Sequence, residues 1–186
     1  MTTVDNILEK VRRQGWNKDE MAQFITQLEH ESMSFKKTRE MSYSPDRAYE
    51  VFPRRFKSRS NARVIYDLLG SDGLFEVMYS GKIGNSEFGD GAKYIGRGFI
   101  GITGKDNYNQ ISKEIGIDVL NNPELLEQED YAILSSIAWW KINIKPKISN
   151  FTGESATETI TRLVNGPAML GLDKRKHLYN KWIKIV

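Results

Sequence analysis

Tyr94-Ile95-Gly96-Arg97-Gly98-Phe99-Ile100-Gly101-Ile102-Thr103-Gly104-Lys105-Asp106-Asn107-Tyr108 is the stretch on which the reading of this fold turns. Eight of the 15 glycines fall between Gly81 and Gly104. A glycine inside a helix costs about 1 kcal/mol relative to alanine, so this density argues against helix. Ile95, Phe99, Ile100 and Ile102 are interspersed with the glycines, which predicts a short, bent β element whose backbone approaches something closely. The alternative is a flexible surface loop, but the apolar and aromatic content argues for packing.

Outside this stretch the patterning is helical. Val4, Ile7, Leu8 and Val11 mark an amphipathic helix ending at Gly15. Asn17 with Glu20 three residues on forms a capping box for a helix running to about Ser32, with an apolar stripe of Met21, Phe24, Ile25 and Leu28. Ser44-Pro45-Asp46 opens a helix carrying Ala48, Val51 and Phe52, and Asn61 to Leu69 reads as another that stops at Gly70. Pro123 starts a helical region whose apolar Tyr131 to Trp140 segment is expected to be the central buried helix. Lys145 to Gly153 reads as a connection, followed by helices over Ser155 to Val164 and Leu172 to Ile185. Trp139, Trp140 and Trp182 are expected in the core. The fold class predicted is α+β, mostly α, with the small β element beside a cleft between lobes.

The 186 residues, with 27 basic and 24 acidic side chains and 39% hydrophobic content, suit a single domain over residues 1–186. No run approaches the roughly 18 apolar residues of a membrane span, and Met1 to Lys10 lacks a basic start followed by an apolar core. The chain is therefore expected to be made and left in a cytosol, without membrane insertion. It has no cysteine, and its two histidines are His30 and His177, so thiol nucleophiles, disulfides and Cys-based metal sites are excluded. His30-Glu31-Ser32-Met33-Ser34 does not complete the zinc motif H-E-x-x-H. No metal or cofactor is expected. Net charge is +3, with basic clusters at Arg54, Arg55, Lys57, Arg59, Arg63 and at Lys174, Arg175, Lys176, Lys181, Lys184. These are solvated helix faces, or sites for nucleic acid or an anionic cell envelope.

Two acids stand out. Glu31 lies three residues beyond Leu28, on the edge of the apolar stripe in the helix's last turn, and Glu40 follows nine residues later. A carboxyl that faces inward holds its proton more readily than one in water and serves as a general acid, while a carboxyl in a wetter loop serves as a base. That is the pattern of a glycosidase. The competing reading is a solvated acid, or one paired with Lys36 or Arg39.

The Tyr94 to Tyr108 run closely resembles the Y-x-G-R-G-x-I-Q-L-T-G-x-x-N-Y signature of family 19 glycoside hydrolases. Three further segments agree in order. His30-Glu31-Ser32 resembles H-E-S/T, Ser44 to Phe56 resembles Y-S-x-x-x-x-x-x-F-P-x-R-F, and Asn165-Gly166 with Asp173-Lys174-Arg175 resembles the N-G-G and D-R elements. The resemblance spans from about Trp16 to the C-terminus and implies a lysozyme-like fold and an inverting mechanism.

Under it, Glu31 would protonate the leaving oxygen and Glu40 would deprotonate a water on the opposite face of the sugar. Thr103 matches the hydroxyl that helps hold that water. Asn107 and Asn165 match sugar-binding amides, and Tyr43 and Tyr94 would shape the cleft. Arg175 matches an arginine that supports the second carboxylate by charge pairing. Read without the resemblance, Asn107 caps a helix that begins nearby, Asn165 ends one before Gly166, Thr103 is a plain strand residue, and His30 is a packing residue. This chain departs from the pattern at Gly101, where the family has glutamine, and at Ser42, where many relatives have asparagine. Met33-Ser34 and Pro167 replace glycines, and the segment between Glu40 and Tyr43 is one residue short.

The family comprises chitinases and phage endolysins, and the lack of cysteines and of an export signal points to the latter. The expected function is hydrolysis of peptidoglycan glycan strands by a monomer that accumulates in a host bacterial cytoplasm and is released to the wall; nucleic acid is not expected as a partner. The alternatives are a chitinase, a lytic transglycosylase using Glu31 alone, and a wall-binding module without turnover.

Overall fold

A computed structural model describes residues 2–186. Among them the helices run α1 (Thr3–Arg12), α2 (Lys18–Glu31), α3 (Pro45–Val51), α4 (Arg59–Tyr79), α5 (Asp90–Lys93), α6 (Lys105–Ile115), α7 (Glu129–Asn143), α8 (Gly153–Asn165) and α9 (Leu172–Trp182), with 3-10 turns at Pro123–Glu127 and Lys145–Lys147. The chain divides into two compact units. One takes the segment up to Thr38, Gly98–Gly101 and Leu125–Val186; the other takes Arg39–Arg97 and Ile102–Glu124.

The first unit packs α1, α2, α7, α8 and α9. Asn17 accepts a hydrogen bond from the Glu20 backbone N–H (2.8 Å), which sets the start of α2. The carboxylate of Glu20 turns elsewhere: it is buried, accepts from Trp140 Nε1 (3.2 Å) and pairs with Lys145 Nζ (3.1 Å). A helix start is thereby tied to the opposite end of α7. Between them Phe24 meets Trp140 edge to face at 5.4 Å and Trp16 at 5.3 Å. Trp140 and Trp182 are core residues and Trp139 packs partly buried against them, as expected. Phe99, from the glycine-rich run, is buried in this same core.

The second unit has a smaller core of Ala48, Phe56, Ala62, Leu74, Phe75, Met78 and Ile95. Ser44 caps α3 through the Arg47 N–H (3.2 Å). The stop expected at Gly70 is present: Gly70 has φ 65° and ψ −155°, so α4 is two helices joined at a kink. Its second half carries Leu74, Phe75 and Met78 into the core, although Gly-Ser-Asp-Gly at 70–73 reads locally as a turn. Burial of three large side chains overrides that local preference. Much of the first basic cluster is spent inside this unit. Arg63 pairs with Asp46 (3.0 Å), Arg59 with Glu50 (3.2 Å), and Arg55 donates to the carbonyls of Met78 (3.1 Å) and Ser80.

The expected β element is reduced. Among the described residues it consists of isolated antiparallel bridges, Arg39 with Arg97 and Arg97 with Ile102. Gly98, Gly101 and Gly104 all have positive φ, so the chain reverses every three residues before a ladder extends. A short helix, α5, also forms within the glycine-rich span. Among the described residues, no helix is long and apolar enough to cross a membrane.

Candidate active site

Glu31 is the last residue of α2, and its side chain is 25% exposed. Gln27, one turn earlier, lies on the same helix face and is fully buried. Both receive one guanidinium. Arg175 of α9, itself fully buried, donates through Nη2 to Glu31 Oε1 (2.5 Å), through Nη1 to Gln27 Oε1, and through Nε to the Leu170 carbonyl (3.4 Å). The planar fork of arginine makes this possible, since three acceptors are met in fixed directions. The expectation for Arg175 is corrected here: its guanidinium holds the first carboxylate, and its burial leaves it no surface for sugar.

The same network includes Asn165. It ends α8, as its local reading has it, and its Oδ1 accepts from the Leu170 N–H (2.8 Å). Asn165 thus fixes the loop whose Leu170 carbonyl receives Arg175. His30 packs on that loop too: a Cβ on Gly171 would stand 2.3 Å from His30 Cε1, so only glycine fits beside the ring. Burial, then the charge of Arg175, lowers the His30 pKa against the opposing pull of Glu31, which keeps the ring neutral near pH 7.

Glu40 belongs to the second unit and is held at several points. Its backbone N–H donates to the Gly96 carbonyl (2.7 Å), its Oε2 accepts from the Gly96 N–H (3.2 Å), and its Oε1 accepts from the Tyr79 hydroxyl (2.6 Å). Tyr43 is also hydrogen-bonded to Glu40; burial first, then the Glu40 charge, raises its pKa. The Tyr79 hydroxyl is pushed up in the same way, burial again leading. Both phenols therefore stay protonated and act as donors. Their rings are braced by Phe52 and Phe75, with centroid separations of 6.2 and 6.3 Å for Tyr43 and 5.9 and 6.3 Å for Tyr79. The shortened segment after Glu40 does not leave the carboxylate loose.

Gly96 does more than donate. A Cβ there would lie 3.3 Å from both Glu40 Oε2 and Thr103 Oγ1, so the missing side chain keeps the space beside these two oxygens open. Asn107 sits inside the first turn of α6, which is capped at Gly104, so it is not the helix cap; its Nδ2 donates to the Thr103 carbonyl (2.8 Å). Tyr94 departs from its expected place on a cleft wall. It is only 3% exposed, its hydroxyl donates to the Leu120 carbonyl (3.2 Å), and its ring lies 5.3 Å from that of Tyr108. It supports the glycine-rich turn from within. Tyr108 and Arg97 do likewise, the first donating to the Ile95 carbonyl (2.7 Å) and the second to the Lys93 carbonyl (2.7 Å).

Tyr79 and the donor role of Gly96 were not foreseen from the sequence. Tyr79 lies 39 residues from Glu40 and outside the motifs read from the sequence, so no local signal marks it. Among the described residues, no three His, Asp or Glu side chains converge as metal ligands.

Each acid is fixed within its own unit, Glu31 by a buried arginine and Glu40 by phenols and a backbone N–H beside a threonine, and a carboxyl so held can give or take a proton. Comparison with known proteins gives the family. The family model described as "Chitinase class I" matches residues 75–157. Over 167 residues the chain is 32% identical to a "Glycosyl hydrolase family 19 domain-containing protein" of Haemophilus influenzae, covering 88% of this chain and 78% of that one. The chain belongs to glycosyl hydrolase family 19 and is a glycosidase. It is also 33% identical over 101 residues to Endochitinase A2 of Pisum sativum, covering 44% of this chain but only 31% of the pea protein. Its fold is that of a solved bacterial family 19 chitinase (TM-score 0.56, 20% identity, 90% of this chain and 74% of that one) and of a chitinase C mutant (TM-score 0.55, 17% identity, 90% and 72%).

Proposed function

We propose that this chain is an endolysin-type enzyme that hydrolyses β-1,4 bonds of bacterial peptidoglycan, with Glu31 as general acid and Glu40 as general base. Protonated Glu31 gives its proton to the glycosidic oxygen as the bond from C1 to that oxygen breaks. Arg175 engages Oε1 of Glu31, which leaves Oε2 as the oxygen that delivers the proton. Glu40 takes a proton from a water held with the help of Thr103, and the water oxygen bonds to C1 with inversion. The two carboxyls end with exchanged protonation and reset through solvent.

The observation that carries this reading is the anchoring of Glu40 beside Thr103. A lytic transglycosylase, with Glu31 alone, has no use for a second carboxylate held by such donors. Peptidoglycan rests on the cysteine-free composition; the bacterial relative, matched along most of both lengths, carries a family name without a substrate, and the pea endochitinase matches over less than a third of its own length. The enzyme would act as a monomer that reaches the wall from the host cytoplasm. The second reading is chitin, favoured by the description of the matching family and the names of the solved neighbours.

Incubation with purified peptidoglycan and, separately, with chitin decides between them, the fragments being identified by mass spectrometry after borohydride reduction. Reducible saccharide ends from peptidoglycan are expected. Anhydro ends would replace the mechanism with one using Glu31 alone, and release from chitin only would replace the substrate. Glu31→Gln should abolish release with the fold intact.

A further inference from the structure

We propose that Tyr79 is a positioning residue for this reaction: its hydroxyl, with the Gly96 N–H, fixes the plane of the Glu40 carboxylate so that the oxygen beside Thr103 faces the attacking water. This rests on the reading of Glu40 as the base.

Glutamate has three rotatable side-chain bonds, and Glu40 lies in a non-helical segment followed by exposed Met41 and Ser42. Such a side chain is not held in one rotamer by its own backbone. Here each carboxylate oxygen has its own donor, Tyr79 OH on Oε1 at 2.6 Å and Gly96 N–H on Oε2 at 3.2 Å. One donor per oxygen defines the carboxylate plane, which a single donor would not. Oε2 is thereby the oxygen beside Thr103, while Oε1 is turned to Tyr79.

The Tyr79 hydroxyl is a fixed point. Tyr79 is the last residue of α4, and its ring stacks on Phe75, one turn earlier, at 6.3 Å and 12°. It also meets Phe52 edge to face at 5.9 Å. Rings so packed have little freedom, and an O–H on a rigid ring gives a donor of defined direction. Burial, then the bond to Glu40, raises the pKa of that hydroxyl, so the donor stays protonated near neutral pH. Tyr43 shares the carboxylate and is braced by Phe52 and Phe75 as well, but it lies three residues from Glu40 in the same non-helical segment. Tyr79 comes from a packed helix and supplies the outside reference.

The test is steady-state kinetics of wild type, Tyr79→Phe, Glu40→Gln and the double variant, on glycol chitin or dye-labelled peptidoglycan, whichever the wild type cleaves. Phenylalanine keeps the ring contacts and removes only the hydroxyl. The expected result is a loss in kcat of up to about 10²-fold for Tyr79→Phe, since small misplacement of a reacting group is costly. KM and the melting temperature should be little changed. In the Glu40→Gln background, Tyr79→Phe should cause no further loss, because it acts through Glu40. Wild-type kcat for Tyr79→Phe, or the same fold-loss in both backgrounds, overturns the proposal while leaving Glu40 as base. Wild-type kcat for Glu40→Gln overturns the underlying reading of Glu40 and this proposal with it.

Discussion

Replacing Arg175 by methionine tests the network behind Glu31 most directly. Methionine roughly keeps the buried volume and removes the fork of donors. Arg175 is fully buried, and its loss strands the Gln27 amide oxygen, the Leu170 carbonyl and the Glu31 carboxylate at once. Breaking a buried pair by deleting one partner costs about 3–5 kcal/mol. Glu31 is 25% exposed, so water recovers part of its loss and the lower end, about 3 kcal/mol, applies. At about 2–4 °C per kcal/mol for a chain of this size, the melting temperature should fall on the order of 6–12 °C. Glu31→Gln combined with Arg175→Met should cost clearly less than the two singles together, because the double variant leaves no charge without its partner. Thermal melts of the four proteins at pH 7 by circular dichroism measure both quantities. A drop worth less than about 1 kcal/mol, the range of an exposed pair, would refute the reasoning, as would strict additivity.

Three further outcomes follow from the geometry. Gly96→Ala places a methyl 3.3 Å from both Glu40 Oε2 and Thr103 Oγ1, so the carboxylate must give way and initial rates should fall up to about tenfold, with little loss of stability; unchanged rates would contradict the close approach. Gly171→Ala meets His30 Cε1 at 2.3 Å with φ at +76°, so urea unfolding should show a loss above about 1 kcal/mol, and a change within error would mean that the ring has room to move. His30 has a folded pKa below its unfolded value of 6.5, so unfolding takes up a proton in that window and stability rises with pH through it. The stabilisation is present above pH 6.5 and lost on acidification. Melting temperatures between pH 7 and 5 should therefore fall more steeply for wild type than for His30→Gln, and parallel curves would remove His30 from the account.

Local patterns in the chain were sufficient for much of this. The stripe of α1, the Asn17 cap and the stop at Gly70 are legible because each depends on contacts within about one helical turn, or on a backbone angle that glycine alone adopts readily. The run from Tyr94 to Tyr108 is legible as a family signature because its glycines and aromatics are required by one tight turn. The same run misleads on the β element, since its density of glycine signals non-helical backbone without saying whether that backbone pairs or turns. It misleads on Tyr94 as well: an aromatic residue in a motif looks the same in sequence whether its ring faces substrate or core.

The amino-acid order alone thus determined most of the helices and the family, and it singled out the two carboxylates as candidates. Tertiary structure alone decided what holds them: Arg175 reaches Glu31 across 144 residues, Tyr79 reaches Glu40 across 39, and Gly96 across 56. Helix periodicity and capping act over three or four residues and so are written locally, whereas the partner of a carboxylate is whichever donor the packed chain brings within 3 Å or so, and that distance has no counterpart in sequence spacing.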